Sequence, residues 1–375
     1  MFHKNKNKMY IKKIIFPLFL LILVSCSKTP QPIEPNNSEY SKPSAFILCE
    51  GLYGYNNATL TRFDIQTNNC DLDFIGHNNP GYQLGDIAND ALLKGDSLFV
   101  LVSSSKVLYL IDAKTGKILK YINFEGDRYP RRLAIANDSI IYFSDAYDNS
   151  INEVNINQSK ITKCIKVGPQ PEGLFYYRNK VYVVNSGWGD LNKANPDAGT
   201  LWIINLNSNN IDKKINIGPN PVEIILDSLN NRYFITYYNF PSEIDSLGGI
   251  FEFDLQNNMK LMQWQGNFTN ALYDESHNSI FAIVKNFSNN STNFYSGIAA
   301  INLNDNTLKQ IIKNNAPQNT WYSLAFDKVR NYIWIGNAKN FQVNGEVLIY
   351  DLDNLTVPIN SIETGINPNK ILFYN

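Results

Sequence analysis

The chain is poor in the residues that build metal and nucleophile sites. It has His 3, Met 4 and Cys 4 in 375 residues. Patterns of the C-x-x-C, H-x-x-H, G-x-S-x-G and P-loop types are missing, which argues against a zinc centre, a serine-hydrolase elbow and a nucleotide-phosphate cradle. No convincing amphipathic-helix period appears, and the single long apolar run is Ile14 to Val24, interrupted by Pro17. Basic clusters are confined to the first thirteen residues. Lys+Arg 33 nearly balances Asp+Glu 34, but Lys4, Lys6, Lys8, Lys12 and Lys13 are five of the 33. Without them 28 bases face 34 acids, a formal charge of −6, and a net acidic domain is a poor nucleic-acid binder.

That basic stretch and the apolar run have the layout of a secretory leader, too short to span a bilayer comfortably. The run ends in Leu23-Val24-Ser25-Cys26, which resembles the lipobox of bacterial lipoproteins. The resemblance implies a signal peptide over 1–25, cleavage before Cys26, acylation of that residue, and outer-membrane anchoring on either the cell surface or the periplasmic leaflet. Residues 26–44 then carry Pro30, Pro32, Pro35 and Pro43 among polar residues, the composition of an extended tether. Cys49, Cys70 and Cys164 remain. Three is odd, so at least one is free or pairs between chains, and buried unpaired thiols are the simpler expectation.

From residue 45 onward the sequence repeats. Seven polar hexamers follow apolar runs, beginning at Asp64, Asp112, Asn155, Asn205, Asp254, Asn302 and Asp351. Their spacings are 48, 43, 50, 49, 48 and 49. The leading Asp or Asn can accept backbone N–H groups in a tight hairpin. A second marker keeps the same interval: Gly168-x-x-Pro171, Gly218-x-x-Pro221 and Gly365-x-x-Pro368. Each unit holds four strand-length runs. In the fourth these are Pro171 to Tyr177, Lys180 to Asn185, Gly199 to Asn205 and Ile211 to Ile217. The C-terminus supplies one innermost strand, Asn369 to Tyr374. The N-terminus supplies three, Ala45 to Cys49, Ala58 to Asp64 and Asp71 to Ile75. The expectation is an all-β, seven-bladed β-propeller over 45–375, made of four-stranded antiparallel blades and closed by joining its ends. A monomeric domain is the expectation.

Tyr182-Val183-Val184-Asn185, preceded by Gly168-Pro-Gln-Pro171, resembles the YVTN-repeat (YncE-like) propellers. Two further segments, Glu50 to Leu60 and Gly81 to Ala88, resemble the vitamin B12-capturing surface lipoproteins of that fold. This likeness implies a cobalamin or other corrinoid ligand and an outer-membrane transporter as partner. It names no cofactor and no catalytic residue, and a non-enzymatic binder is expected.

Loop length marks the expected working face. The second-to-third-strand loops are long, whereas the hexamer turns opposite are short. Tyr53, Tyr55, Tyr147, Trp188, Tyr238, Phe240, Phe287, Phe294, Tyr295 and Phe341 lie in the long loops; Tyr82, Tyr129 and Trp321 lie at blade crossings. Near them stand Arg128, Arg131, Asn185, Glu50, Asp86, Asp145, Asp148 and Asp190. The candidate ligand-binding set is Tyr53, Tyr55, Tyr82, Arg128, Tyr129, Tyr147, Asn185, Trp188, Tyr238, Phe240, Trp321 and Phe341. Flat rings with amides and a few charges suit a large ligand with apolar faces and a polar rim. The alternatives are a protein-interaction scaffold and a carbohydrate-binding lipoprotein, since both also use exposed aromatic platforms. Of the two histidines beyond the leader, His77 is expected on the working face and His277 opposite. Asp86, Asp145 and Asp190 are the carboxylates that could converge on the axis.

Overall fold

The computed structural model describes residues 43–188, 195–238, 248–285, 296–316 and 318–375. They form seven four-stranded antiparallel sheets. Six sheets are sequence-contiguous. Blade 1 is composite, with the order Pro368–Tyr374, Ser44–Cys49, Thr59–Asp64, Cys70–Asp71. The innermost strands of blades 2 to 7 are Ala88–Lys94, Pro130–Ile135, Pro171–Tyr177, Pro221–Asp227, Phe268–Asp274 and Trp321–Asp327. Each touches the innermost strand on either side, and Pro368–Tyr374 meets both Trp321–Asp327 and Ala88–Lys94, so the ring closes. The expected seven-bladed propeller, with its one-plus-three clasp, is the fold.

Side-chain alternation explains the dense apolar runs. In the second strand of blade 2, Leu98, Val100 and Val102 pack toward blade 1, while Phe99 and Leu101 pack toward blade 3. Both faces are buried because every sheet lies between two others. Seven apolar clusters result among the described residues, one in each gap between neighbouring blades. The outermost strands are different. Asn210–Asn216 is exposed at nearly every residue, and the outer strands of blades 2 to 6 present lysines such as Lys120, Lys163, Lys213 and Lys309.

The hexamers form the turns expected of them. In all seven the leading Asp or Asn Oδ1 accepts a backbone N–H two or three residues on, at 2.8–3.4 Å. In six the fifth residue is left-handed: Asn68, Gly116, Ser159, Asn209, Asn258 and Asn306. Asn and Gly tolerate that region best, which accounts for much of the asparagine.

Blade 1 departs from expectation at its outer edge. The third initial strand is only Cys70–Asp71, followed by a one-turn helix, Phe74–Asn78. Asp73 caps the helix by accepting the Gly76 N–H at 3.1 Å. Consecutive Phe74 and Ile75 are both fully buried between blades 1 and 2. A strand would turn one of them outward, and a helical turn hides both. This also relocates His77. The helix packs against the hexamer turn of blade 2, with Asn79 Nδ2 donating to the Gly116 carbonyl at 2.7 Å, so His77 is away from the long-loop face.

Cys49, Cys70 and Cys164 are all free. Cys49 is buried, as expected; Cys70 and Cys164 sit on outer strands and are exposed. Burial pushes the Cys49 thiol up to about 12 and the Cys70 thiol up to about 11. Alkylation of the native protein at pH 8, read by mass spectrometry, should modify Cys164 first, Cys70 more slowly because its raised pKa leaves little thiolate, and spare Cys49 until denaturant is added. A second prediction concerns the clasp. Phe46 is fully buried and packs on Phe74 and Tyr374, with ring centroids 5.7 and 6.0 Å away. Phe46→Ala should cost about 3–5 kcal/mol in urea unfolding.

Candidate functional site

The innermost strands carry the site. Each starts on the long-loop face, and its pairing to the second strand skips a residue near that start, as between Pro130 and Leu133 or Pro221 and Glu223. The skip is a β-bulge that re-aims side chains. Here it turns Asp90, Arg131, Arg132, Glu223, Asn270, Tyr322, Asn369 and Lys370 into an axial channel.

At the long-loop mouth lies a cavity of about 150 Å³. Its polar walls include Glu50, Arg131, Arg132, Glu223, Lys285 and Tyr322. Arg131 Nε reaches both oxygens of buried Glu172, at 2.9 and 3.1 Å. Burial works against the guanidinium charge, but Glu172 outweighs it and holds the arginine pKa up. Glu50 accepts the Tyr322 hydroxyl at 2.7 Å and Asn369 Nδ2 at 3.0 Å. Burial first, then Glu50, holds the Tyr322 phenol well above its ordinary range. Glu223 accepts the Ala271 N–H at 2.7 Å, yet burial dominates and raises its carboxyl pKa. Burial likewise lowers the Lys285 pKa, against the pull of Glu223.

Beside this mouth stands an aromatic platform. Tyr129 and Tyr147 stack with centroids 5.0 Å apart, and Trp188 meets them edge-on at 6.5 and 6.1 Å. Arg131 lies over the Tyr129 ring at 5.3 Å. Trp188 Nε1 donates to Glu172 at 3.3 Å, tying platform and mouth together. Tyr147 is 51% exposed and Trp188 44%. Asp145 positions this group. Fully buried, it accepts from Arg128 Nη1 and Tyr129 N at 2.9 Å, and from Tyr147 N and Asp148 N at 3.3 Å. These four bonds order the loop.

The other expected residues divide. Tyr238 lines the mouth. Phe341 packs edge-on against Tyr322 at 5.4 Å and stays 41% exposed. Tyr53 and Tyr55 project from the long loop of blade 1, which is pinned by Gly54 N donating to Asp86 Oδ2 at 2.9 Å. Three side chains sit elsewhere. Tyr82 turns outward to a shallow groove of about 340 Å³ with Leu119 and Tyr121. Asn185 is fully buried and donates to Thr200 Oγ1 at 3.2 Å. Trp321 is 5% exposed and fills the apolar gap between blades 6 and 7, because it opens an innermost strand whose first side chain points between the sheets. Phe240, Phe287, Phe294, Tyr295, Asp190 and Cys26 lie outside the described residues. Among the described residues no three His, Cys, Asp or Glu side chains are grouped to hold a metal ion. His277 pairs with Asp274 at 2.6 Å in a turn on the opposite face.

The charged mouth has a sequence signal. Four innermost strands open with proline, and the two residues after it are Arg131-Arg132, Glu172-Gly173, Val222-Glu223 and Asn369-Lys370. Charges within two residues of the strand-opening proline, in otherwise apolar runs, are the mark of an axial lining.

The Glu223 shift makes a stability prediction. Its folded pKa lies above its unfolded one, so the folded state carries the burial penalty once pH exceeds the folded value, and loses it as pH falls below the unfolded value. Urea unfolding of Glu223→Gln should therefore show its stability, relative to the parent, improving as pH rises above the unfolded carboxyl pKa and levelling off once pH passes the raised folded value.

No family model and no curated protein matches this chain. Solved structures do. A quinonprotein alcohol dehydrogenase-like protein from Bacteroides thetaiotaomicron is 14% identical, covering 90% of this chain and 80% of its own, with a TM-score of 0.65. Hydrazine synthase from Kuenenia stuttgartiensis is 16% identical, covering 77% and 92%, with a TM-score of 0.61. At these identities the likeness is one of fold: both neighbours are seven-bladed β-propellers, as is this chain.

Proposed function

We propose that this protein is an envelope lipoprotein that captures a bulky ligand on its long-loop face without converting it. The observation that carries the reading is the platform of Tyr129, Tyr147 and Trp188, with two half-exposed rings beside a charged mouth. Stacked rings receive a flat apolar surface, and Arg131, Arg132, Glu50 and Lys285 can meet polar groups at its rim. The mouth is too small to enclose such a ligand, so the ligand would lie across the face.

A corrinoid, with its broad ring and peripheral amides, has this chemistry and is the member of the class favoured by the resemblance of Glu50 to Leu60 and Gly81 to Ala88. Anchoring through Cys26 rests on the lipobox resemblance of Leu23 to Cys26. Ser44 begins its strand beside Tyr374, on the short-turn face.

Isothermal titration with cyanocobalamin tests the corrinoid reading. Saturable binding should weaken at least tenfold, about 1.4 kcal/mol, in Tyr147→Ala and Trp188→Ala. No heat and no spectral change at high micromolar ligand would remove it. A protein-holding scaffold is the second reading, favoured by Tyr53 and Tyr55, which are 78% and 72% exposed on one loop. A stoichiometric envelope protein captured by the parent, but lost with Tyr53→Ala and Tyr55→Ala, would select it.

A further inference from the structure

The channel does not narrow evenly. On the short-turn face it opens into a larger cavity of about 680 Å³. The far halves of four innermost strands wall it, contributing Leu226, Leu272, Leu324, Leu372 and Phe373. Glu223, Asn270, Asn369 and Lys370 form its inner end, and the first three also line the long-loop mouth. The volume is that of a small-molecule pocket, with an apolar body and a polar end.

The charges at that polar end are unevenly committed. Lys370 is engaged by Asp90 at 3.1 Å. Glu223 accepts the Ala271 N–H at 2.7 Å, while Arg132, Lys370 and Lys285 act on it only from beyond ion-pair distance. Asn369 Nδ2 is saturated by Glu50, Ala88 and Asn89, but its buried Oδ1 has no donor. At the rim, Asp227 is taken by Arg232 at 2.8 Å and Asp274 by its own turn, and Glu275 and Lys328 also line it. The inner end thus offers the Glu223 carboxylate and the Asn369 carbonyl oxygen as acceptors, beside the amide of Asn270.

We propose that this cavity binds a small amphiphilic cation, a primary alkylammonium, with its head on Glu223 and Asn369 Oδ1 and its chain along the leucine wall. An ammonium brings three donors and one positive charge, which is what these acceptors lack. Burial already disfavours the bare Glu223 carboxylate, so an arriving cation gains from restoring its counter-charge. The site is separate from the long-loop platform, and neither reading needs the other.

Calorimetric titration with butyl-, hexyl- and octylammonium at pH 7.5 tests it. One saturable site is expected, tightening about fourfold per added methylene. Octanoate and octanol should bind at least tenfold more weakly than octylammonium. Glu223→Gln, with its fold checked by circular dichroism, should lose at least tenfold in affinity. Leu372→Gln, which keeps the carboxylate, should flatten the chain-length dependence. Trp188→Ala should leave the affinity unchanged. The proposal is overturned by absence of saturable binding at millimolar amine, by equal binding of octanoate, or by an unaltered Glu223→Gln. A loss in Trp188→Ala would also overturn it, by moving the amine to the other face.

Discussion

The antiparallel pairing of Ser44–Cys49 with Pro368–Tyr374 is the constraint on which the molecule depends. Every other blade is made of neighbouring sequence and could form locally. Blade 1 joins residues more than 300 positions apart, and its contacts complete the apolar gaps on both sides. Until it forms, blades 2 and 7 each show an unpaired apolar face to water. Closure is therefore the step that converts a row of marginal sheets into a single cooperative core. The rate should reflect this, since such long-range pairing carries the entropy of closing nearly the whole chain.

Closure also creates the site. A ring of seven edges leaves an axis that nothing fills, and the bulges near the strand starts put polar groups there. Arg131–Glu172 and Lys370–Asp90 are pairs whose charges are satisfied within the ring. Glu223 and Lys285 are not satisfied in that way, and their pKa shifts in opposite senses follow from burial. Rigid walls and a few uncommitted groups are the conditions under which a scaffold binds selectively.

The fold was legible because its signals were repeated. The hexamer turns and the Gly-x-x-Pro marker state one period, and the Asx turns then appear at all seven leading residues. The outer edge of blade 1 was not legible by the same reasoning, since an Asp73 cap and two adjacent buried side chains override a strand-like run. At the site, Tyr129, Tyr147 and Trp188 come together from blades 3 and 4. Trp321 and Asn185 show the limit of reading by residue type. Both occupy strand ends, where one position decides between solvent and the gap between sheets. The axial charges were written in the sequence too, but as isolated residues after proline they resembled ordinary surface positions.

The outer strands also guard against association. A propeller hides its inner edges but ends each blade in one free edge, and seven such edges make a rim prone to stick to the rim of another copy. Lysines along the outer strands of blades 2 to 6 put the same sign of charge on most of the edges where one copy could otherwise zip onto a neighbour. Crowded side by side on a surface, such discs would keep their distance, so density alone would not drive them into aggregates.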